Sequence, residues 1–148
     1  MKNSINNLSV VIITKNEEKF ISDAIKSALF ADEVLILDSG STDDTCKKAQ
    51  DLGAKVYQEE WLGFGAQKNA AVEKAANEWV FVLDSDERIP TELQNEILKT
   101  LEKPDFKGYY VARLNNYWGK YIKTCGLYPD YSLRLFNKNA GRFKEVAV

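Results

Sequence analysis

An Asp-x-Asp motif follows a strongly apolar stretch near the middle of the chain. The motif, Asp84-Ser85-Asp86, comes directly after residues 79–83, whose sequence WVFVL is typical of a strand buried on both faces. Carboxylates at such a strand end suit a hard divalent cation, Mg²⁺ or Mn²⁺, which completes its shell with phosphates of a bound molecule. Asp84 and Asp86 are therefore the predicted metal ligands. The plainer alternative is that Asp84 and Ser85 only cap the following turn.

Two other predicted strand ends also carry polar and acidic side chains. They are residues 14–17 (TKNE) and residues 38–44 (DSGSTDD). Gly40 permits a tight turn, and Asp38 can accept hydrogen bonds from hydroxyl groups or from a base N–H. The second stretch therefore predicts recognition of a ribose and a base. The alternative is that its serine and threonine simply cap a helix.

Lys68 is the predicted phosphate contact. It lies near the start of a predicted helix, and a helix N-terminus together with a cation favours an anion; the alternative is an ordinary solvated lysine. The chain contains neither the G-x-G-x-x-G loop of dinucleotide-binding proteins nor a P-loop. It also contains no histidine, so acid–base and metal chemistry must fall to Asp and Glu.

Alternating strands and helices must position these residues. The pattern predicts strands at 8–14, 34–37, 54–58 and 79–83, with helices at 16–31, from 41 to 52, at 66–76 and at 90–101. Ser41 and Asp44 resemble a capping box at the second helix, and Asn77 is a predicted cap of the third. The prediction is an α/β protein with a mostly parallel sheet flanked by helices on both faces.

A strand order of three-two-one-four would bring the three acidic strand ends to one edge of the sheet. Ligands of open α/β sheets bind at this carboxyl edge, near the switch point of the topology. Carboxylates gathered there repel one another unless they share a cation. The order therefore predicts a cleft in which a divalent ion and a diphosphate neutralise the acids.

The last third of the chain differs from the rest. It is aromatic and predicts strands near 109–114, 131–136 and 142–148. Residues 101–148 hold nine Lys or Arg against four acids, so they carry +5 while the first hundred residues carry −7. We expect one domain, 1–148, with a nucleotide-binding half (1–103) and the start of an acceptor-side half (104–148), incomplete at its C-terminus.

Composition limits the partners and the compartment. A net charge of −2 gives no whole-chain attraction to nucleic acid. The two isolated cysteines, Cys46 and Cys125, predict reduced thiols of a cytoplasmic protein, and no apolar run is long enough for a signal peptide or membrane span. The basic, aromatic last third is compatible with peripheral contact at the inner face of the membrane. Pairing of an exposed terminal strand would give a homodimer.

Four motifs together resemble the family 2 glycosyltransferases of GT-A fold. They are IITKNEE at 12–18, LDSGSTDDT at 37–45, QKNAA at 67–71 and WVFVLDSDERIP at 79–90. Residues 128–136 (YPDYSLRLF) and 141–143 (GRF) resemble the branch of bacterial lipopolysaccharide-core glucosyltransferases. The resemblance implies a Rossmann-like fold that binds a nucleotide sugar, with a β-rich C-terminal part.

The resemblance also implies roles for individual residues. Asp86 would bind the metal together with Asp84, which would also lie near the ribose. The other positions implied to bind the nucleotide sugar are Thr14, Asn16, Glu17, Asp38, Ser39, Gly40, Lys68 and Ser85.

The reaction implied is an inverting transfer from UDP-glucose or a similar UDP-hexose to a saccharide or glycolipid acceptor. The setting would be synthesis of the lipopolysaccharide core or another cell-envelope glycan. Within the chain, Asp130 is the candidate for the catalytic base, and a carboxylate beyond Val148 is the alternative, because relatives continue past this point. The alternative hypothesis for the same residues is a nucleotide-sugar-binding module without catalytic activity. An aspartyl phosphatase is disfavoured because its Asp pair is expected after the first strand.

Overall fold

A computed structural model describes residues 7–113, 116–117, 120–121 and 130–143, with the backbone alone at 116, 117, 120, 121 and 130. The strands are β1 (Leu8–Thr14), β2 (Glu33–Asp38), β3 (Lys55–Gln58), β4 (Trp79–Asp84), β5 (Gly108–Arg113), β6 (Asn116–Tyr117), β7 (Lys120–Tyr121) and β8 (Asp130–Asn137). The helices are α1 (Ile21–Ala28), α2 (Thr45–Asp51), α3 (Phe64–Lys74) and α4 (Thr91–Glu102).

One six-stranded sheet organises the fold, in the order β3-β2-β1-β4-β8-β5. The first four strands are parallel, and β8 runs antiparallel to both β4 and β5. The predicted order three-two-one-four and the α/β class are confirmed. The β-rich last third extends the same sheet, while β6 and β7 form a separate antiparallel pair.

Both faces of the sheet are covered by helices. Val10 and Ile12 of β1 face a core cluster that contains α1 residues such as Ile25, together with residues of α2 and α4. Val11 faces the opposite cluster, to which α3 contributes Val72. Burying one such aliphatic side chain contributes about 1.5–3 kcal/mol. The apolar run at residues 10–13 of β1 is therefore explained by its position between two helical layers.

Helix α1 begins five residues later than predicted. Asn16 has a positive φ of 53°, which does not belong to a helix. The backbone N–H groups of Asn16 and Glu17 donate instead to the hydroxyl oxygens of Ser41 and Thr45, which lie beyond β2. These tertiary hydrogen bonds hold the segment open as a loop.

The predicted caps were wrong for two helices. Asp44 occupies the N-cap of α2 without a side-chain capping bond, and the Ser41 hydroxyl donates to Asp38 rather than to a helix N–H. Helix α3 ends at Lys74, and the backbone and side-chain nitrogens of Asn77 both contact the Ser9 hydroxyl. The Ser41 hydroxyl therefore bonds within its own turn, whereas Asn77 bonds a strand residue that is distant in sequence.

The predicted strand at 142–148 is not supported at its start. Arg142 and Phe143 belong to no strand, and residues 144–148 lie outside the described part. The side-chain amide of Asn69 donates to the Phe143 carbonyl and accepts from its N–H, each at 2.8 Å. Both polar groups of this backbone are therefore used by α3.

None of the helices in the described part of the chain has the length and apolar composition that a membrane crossing requires.

A buried carboxylate lies at the opposite edge of the sheet from the acidic strand ends. Glu33 is 7% exposed, and its oxygens accept from Ser9 Oγ at 2.8 Å, the Ala76 N–H at 2.9 Å and Lys55 Nζ at 2.7 Å. Burial alone would raise the pKa of Glu33, but these hydrogen bonds outweigh it and lower the pKa below its ordinary 4.5. Glu33 thus links β1, β2, β3 and the segment after α3.

We expect Glu33→Gln to reduce the free energy of unfolding by about 1–3 kcal/mol at pH 7, since one charged hydrogen bond is lost and a donor replaces an acceptor. Because the folded pKa is lowered, this contribution is present above pH 4.5 and disappears as the pH falls through the folded value. Urea unfolding at several pH values measures the difference. The exposed Glu102→Gln is the control, and an equal loss in both variants would contradict the assignment.

Candidate functional site

The carboxyl ends of three parallel strands lie side by side. Thr14 at the end of β1 pairs with Asp38 of β2, and Ile13 pairs with Asp84 of β4. Neighbouring strands are about 4.7–4.9 Å apart, so these three ends occupy one short edge of the sheet. The sequence expectation that the acidic strand ends are neighbours is therefore met by the register.

The loop after β1 and the loop after β2 are hydrogen-bonded together. Asn16 Oδ1 accepts from the Thr42 N–H at 2.8 Å, and the Glu18 N–H donates to the Asp43 carboxylate at 3.3 Å. Lys48 Nζ donates to the Glu18 carbonyl at 3.0 Å. Asn16, a predicted nucleotide-sugar contact, thus also serves as a bridge between the two loops.

Asp38 is fully buried and shapes the turn that follows it. Its carboxylate accepts from the Gly40 N–H at 3.0 Å, the Ser41 N–H at 2.8 Å and the Ser41 hydroxyl. Gly40 has a φ of 95°, a conformation that an L side chain rarely adopts. The carboxylate predicted to contact a nucleoside is therefore already an acceptor for its own loop.

Glu17 and Asp86 lie close enough to interact electrostatically. Burial first, and then the negative charges of Asp86 and Asp43, raise the pKa of Glu17. Asp86 is exposed and has neither a hydrogen bond nor an ion pair among the described residues. Nearby at the end of β1, the buried Thr14 hydroxyl has no hydrogen-bond partner in the same part of the chain. The unsatisfied groups thus gather at this edge.

Asp84 lies between two cations. Its oxygens are 3.6 Å from Lys68 Nζ and 3.5 Å from Arg134 Nη2. Lys68 Nζ also lies over the Phe143 ring, 5.6 Å from its centre, which is a second favourable contact for the ammonium group. Ser85, next along the chain, is 9% exposed.

Arg134 and Glu87 were not among the predicted site residues. Arg134 is 7% exposed; its guanidinium donates to the Val82 carbonyl at 3.0 Å and forms two contacts with Glu87, at 2.9 and 3.1 Å. Burial raises the pKa of Glu87, against the opposing effect of Arg134. The available sequence signal was an arginine between two leucines in a predicted strand, since a buried Arg requires a partner.

Gln67 is a second residue that sequence reasoning did not place in the site. It is fully buried, its amide nitrogen donates to Ser39 Oγ at 3.2 Å, and its oxygen accepts from the Leu62 N–H at 3.1 Å. Of the three successive polar residues of α3, Gln67 contacts Ser39, Lys68 contacts Asp84 and Asn69 contacts the Phe143 backbone. Gln67 and Asn69 are both buried, which indicates that α3 is positioned by polar side chains there.

The donor set at this edge suits a cation that is only partly held by protein. The described residues contain no group of three or more Asp, Glu, Cys or His side chains arranged around a common ion position. Asp86 is available, and Asp84 is partly neutralised by Lys68 and Arg134. Mg²⁺ is commonly bound by one or two carboxylates, and phosphate oxygens of the bound molecule complete its coordination shell. The residues therefore fit the predicted ion.

A cleft of about 300 Å³ adjoins Asp84. Its walls come from α3, from the ends of β4 and β5, from the first half of β8 and from the segment at Phe143. They combine cationic and aromatic side chains, and the lining residues are Lys68, Val82, Asp84, Tyr110, Arg113, Tyr131, Ser132, Leu133, Arg134 and Phe143. Tyr110 and Tyr131 are 70% and 62% exposed, so their rings are accessible.

The predicted catalytic base is placed only by its backbone. Asp130 begins β8 and pairs with Arg113 of β5. Its side chain lies outside the described part, so its role stays a prediction.

The sequence signature of glycosyl transferase family 2 spans residues 9–143. The chain belongs to this family. It is 38% identical to an uncharacterised glycosyltransferase of Rickettsia typhi over 140 residues, which cover 92% of this chain and 48% of the relative. It is 33% identical over 147 residues to the lipopolysaccharide core biosynthesis glycosyltransferase LpsC of Rhizobium meliloti, covering 92% of this chain and 53% of LpsC. The chain thus spans about half the length of these two relatives.

Solved glycosyltransferase structures share the fold, which is GT-A. S. aureus TarS in complex with UDP-GlcNAc superposes with a TM-score of 0.61 at 26% identity, covering 78% of this chain and 36% of TarS. Glucosyl-3-phosphoglycerate synthase of Mycobacterium tuberculosis, in complex with Mn²⁺, UDP and glucosyl-3-phosphoglycerate, gives 0.50 at 29% identity. That match covers 56% of this chain and 36% of the synthase.

We expect Asp38→Asn to lower the free energy of unfolding by about 1–3 kcal/mol, because a buried carboxylate that accepts three loop hydrogen bonds loses its charge and gains a donor. Asp44→Asn is the matched control, since Asp44 is exposed and makes no side-chain cap. Chemical denaturation compares the two variants. Equal stabilities would show that Asp38 does not hold the turn.

Proposed function

We propose that the protein is a divalent-metal-dependent, inverting glycosyltransferase that takes its sugar from a UDP-hexose, with UDP-glucose as the first candidate. The acceptor is a saccharide or glycolipid of the cell envelope, such as the lipopolysaccharide core. Family membership supports the reaction class, the similarity to LpsC supports the setting, and the UDP complexes of the structural neighbours support the nucleotide.

The observation that carries the proposal is the shared edge of β2, β1 and β4. The paired strand ends lie beside one another, and with them the loop of Asp38, the Thr14 hydroxyl and the Asp84–Glu87 turn. A nucleoside diphosphate has hydroxyl groups at one end and concentrated negative charge at the other. This edge offers hydrogen-bonding groups on the β2 side and cations on the β4 side.

On the nucleoside side, the proposed contacts come from the first two loops. Thr14 contributes its hydroxyl and Glu17 its carboxylate at the end of β1. Asn16, Ser39 and Gly40 contribute contacts from the two hydrogen-bonded loops after β1 and β2. Asp38 contributes to nucleoside binding by holding the turn after β2 in place. Its carboxylate also has acceptor capacity beyond the three hydrogen bonds that it accepts from this turn.

On the phosphate side, Lys68 is the proposed cationic contact, with Asp84 and Ser85 near the ribose. Asp86 would hold the divalent ion, assisted by Asp84. The bound ion would supply positive charge that neutralises the leaving diphosphate. Lys68 shares its charge between Asp84 and the Phe143 ring, so an arriving phosphate would meet an ammonium group already fixed in place.

The cleft beside Asp84 is the proposed acceptor position. An acceptor hydroxyl there attacks the anomeric carbon from the face opposite the nucleotide, and a carboxylate takes its proton. Asp130 at the start of β8 is the candidate within the chain, and a carboxylate beyond Val148 is the alternative. The exposed rings of Tyr110 and Tyr131 can stack on a sugar, and Arg113 can contact an anionic substituent.

A cytoplasmic location at the inner face of the membrane belongs to the same proposal. UDP-sugars and a glycolipid acceptor would meet at that surface, and Cys46 carries a free thiol, in keeping with a reducing compartment. A homodimer through a sheet edge is proposed only as a secondary feature.

We expect Asp86→Ala to remove the Mn²⁺-dependent part of UDP binding while leaving the fold intact, because the side chain is exposed and makes no internal bond in the described part. Calorimetric titration of UDP with and without Mn²⁺ measures the effect. Asp51→Ala, an exposed substitution at the end of α2, is the control. Unchanged metal dependence in Asp86→Ala would defeat the assignment.

Turnover separates the enzyme from an inactive binding module. UDP-glucose hydrolysis, followed with and without Mn²⁺, is expected to exceed the background rate. Metal-dependent binding without any turnover would favour the module, whereas absence of UDP binding would contradict both functions.

A further inference from the structure

Strand β8 is irregular at Arg134. Tyr109 of β5 pairs with Leu135, but the next residue, Tyr110, pairs with Leu133. Arg134 is therefore the extra residue of a β-bulge, a device that turns a side chain away from the direction a regular strand would give it. Leu135 is buried in the core, whereas Leu133 is 37% exposed and lines the cleft beside Asp84.

The bulge directs the Arg134 guanidinium to the end of β4. There it donates to the Val82 carbonyl at 3.0 Å and grips both Glu87 oxygens, Nη1 to Oε1 at 2.9 Å and Nη2 to Oε2 at 3.1 Å. A fork-to-fork pair fixes orientation as well as distance. A fourth contact, Nη2 to Asp84 at 3.5 Å, reaches the first carboxylate of the motif.

Glu87 transmits this constraint to the backbone. Its Oε1 accepts from the Asp84 N–H at 2.9 Å, and its own N–H donates to the Asp84 carbonyl at 3.0 Å. The turn is thus closed from both sides, and Asp86 stands inside it with an exposed side chain. Arg134 itself does not need to touch Asp86 to set its position.

Stability alone explains this arrangement poorly. Removing a guanidinium and a carboxylate from water is costly, and buried ion pairs can often be replaced by apolar groups without loss of stability. The bulge and the buried Arg134 therefore indicate that this arginine serves to position other groups.

We infer that Arg134 is a positioning residue that holds the 84–87 turn in the shape that presents Asp86 to the cation and diphosphate of the donor. The inference rests on the proposed function for its purpose, and on the contacts above for its mechanism. Arg134 acts through Glu87 and the Asp84 backbone, not by contact with the donor.

The test is Arg134→Gln in the whole chain, with Mn²⁺ and UDP as probes. We expect the Mn²⁺-dependent affinity for UDP to fall about 10- to 100-fold, the range typical for groups that orient metal ligands. UDP binding measured in EDTA should stay as in the wild type, because the loops after β1 and β2 are untouched. Hydrogen exchange of the Asp84 and Glu87 amides should become faster.

Arg88→Gln is the matched control. Arg88 follows the same turn but, within the described part of the chain, its one ion pair is with Asp23 at the surface, 2.9 Å away and with both side chains at least half exposed. Its UDP affinity and the exchange of the two amides should equal those of the wild type. Thermal unfolding of each variant shows whether the fold is retained.

Glu87→Gln keeps the inference testable if Arg134→Gln does not fold. This near-isosteric change replaces one acceptor by a donor facing the guanidinium, so it should also weaken Mn²⁺-dependent UDP binding and speed exchange at Asp84. Wild-type behaviour of either folded variant would overturn the inference. If the wild type itself binds no UDP, the proposed function fails, and the amide exchange of the variants still decides whether Arg134 holds the turn.

Discussion

Repulsion among carboxylates at one edge of the sheet is the constraint on which this site depends. Two like charges 4 Å apart repel by about 4 kcal/mol at an effective dielectric constant of 20, which is a large part of a small domain's stability. The protein relieves the repulsion differently at each position. Asp38 is satisfied by backbone N–H groups of its own turn, and Asp84 by Lys68 and Arg134. Glu17 and Asp86 are left with the residual negative potential, which is where a cation is favoured.

The strands and their order could be predicted because they are set by short-range patterns. β1, β2 and β4 each contain a run of at least four consecutive apolar residues, and helices lie in the connections between them, so few topologies remain. The starts and caps of the helices could not be predicted in the same way. Asn16, Ser41 and Asn77 find partners on other loops or strands, and a local capping rule has no access to those partners.

The position of the acidic residues at neighbouring strand ends could be predicted, and the residues that support them could not. Asp84 and Asp86 are visible as a motif, since their chemistry depends on residue type and on position after a strand. Arg134 and Gln67 act by burial and by contacts across 50 and 28 residues of sequence, respectively. The bulge in β8 changes the direction of the Arg134 side chain. The alternation of apolar and polar residues along the strand, from which strands are predicted, does not reveal it.

Gln67 connects the turn after β2 to the segment that precedes α3. Its amide joins Ser39, in the turn after β2, to the backbone of Leu62, in the segment that carries Trp61. Trp61 is 49% exposed and packs edge-on against Phe64, with ring centres 4.8 Å apart. Two hydrogen bonds of Gln67 therefore lie between Ser39 and the segment that carries this exposed indole. Movement of the loop after β2 would thus change the surroundings of one of the three tryptophans of the chain, Trp61.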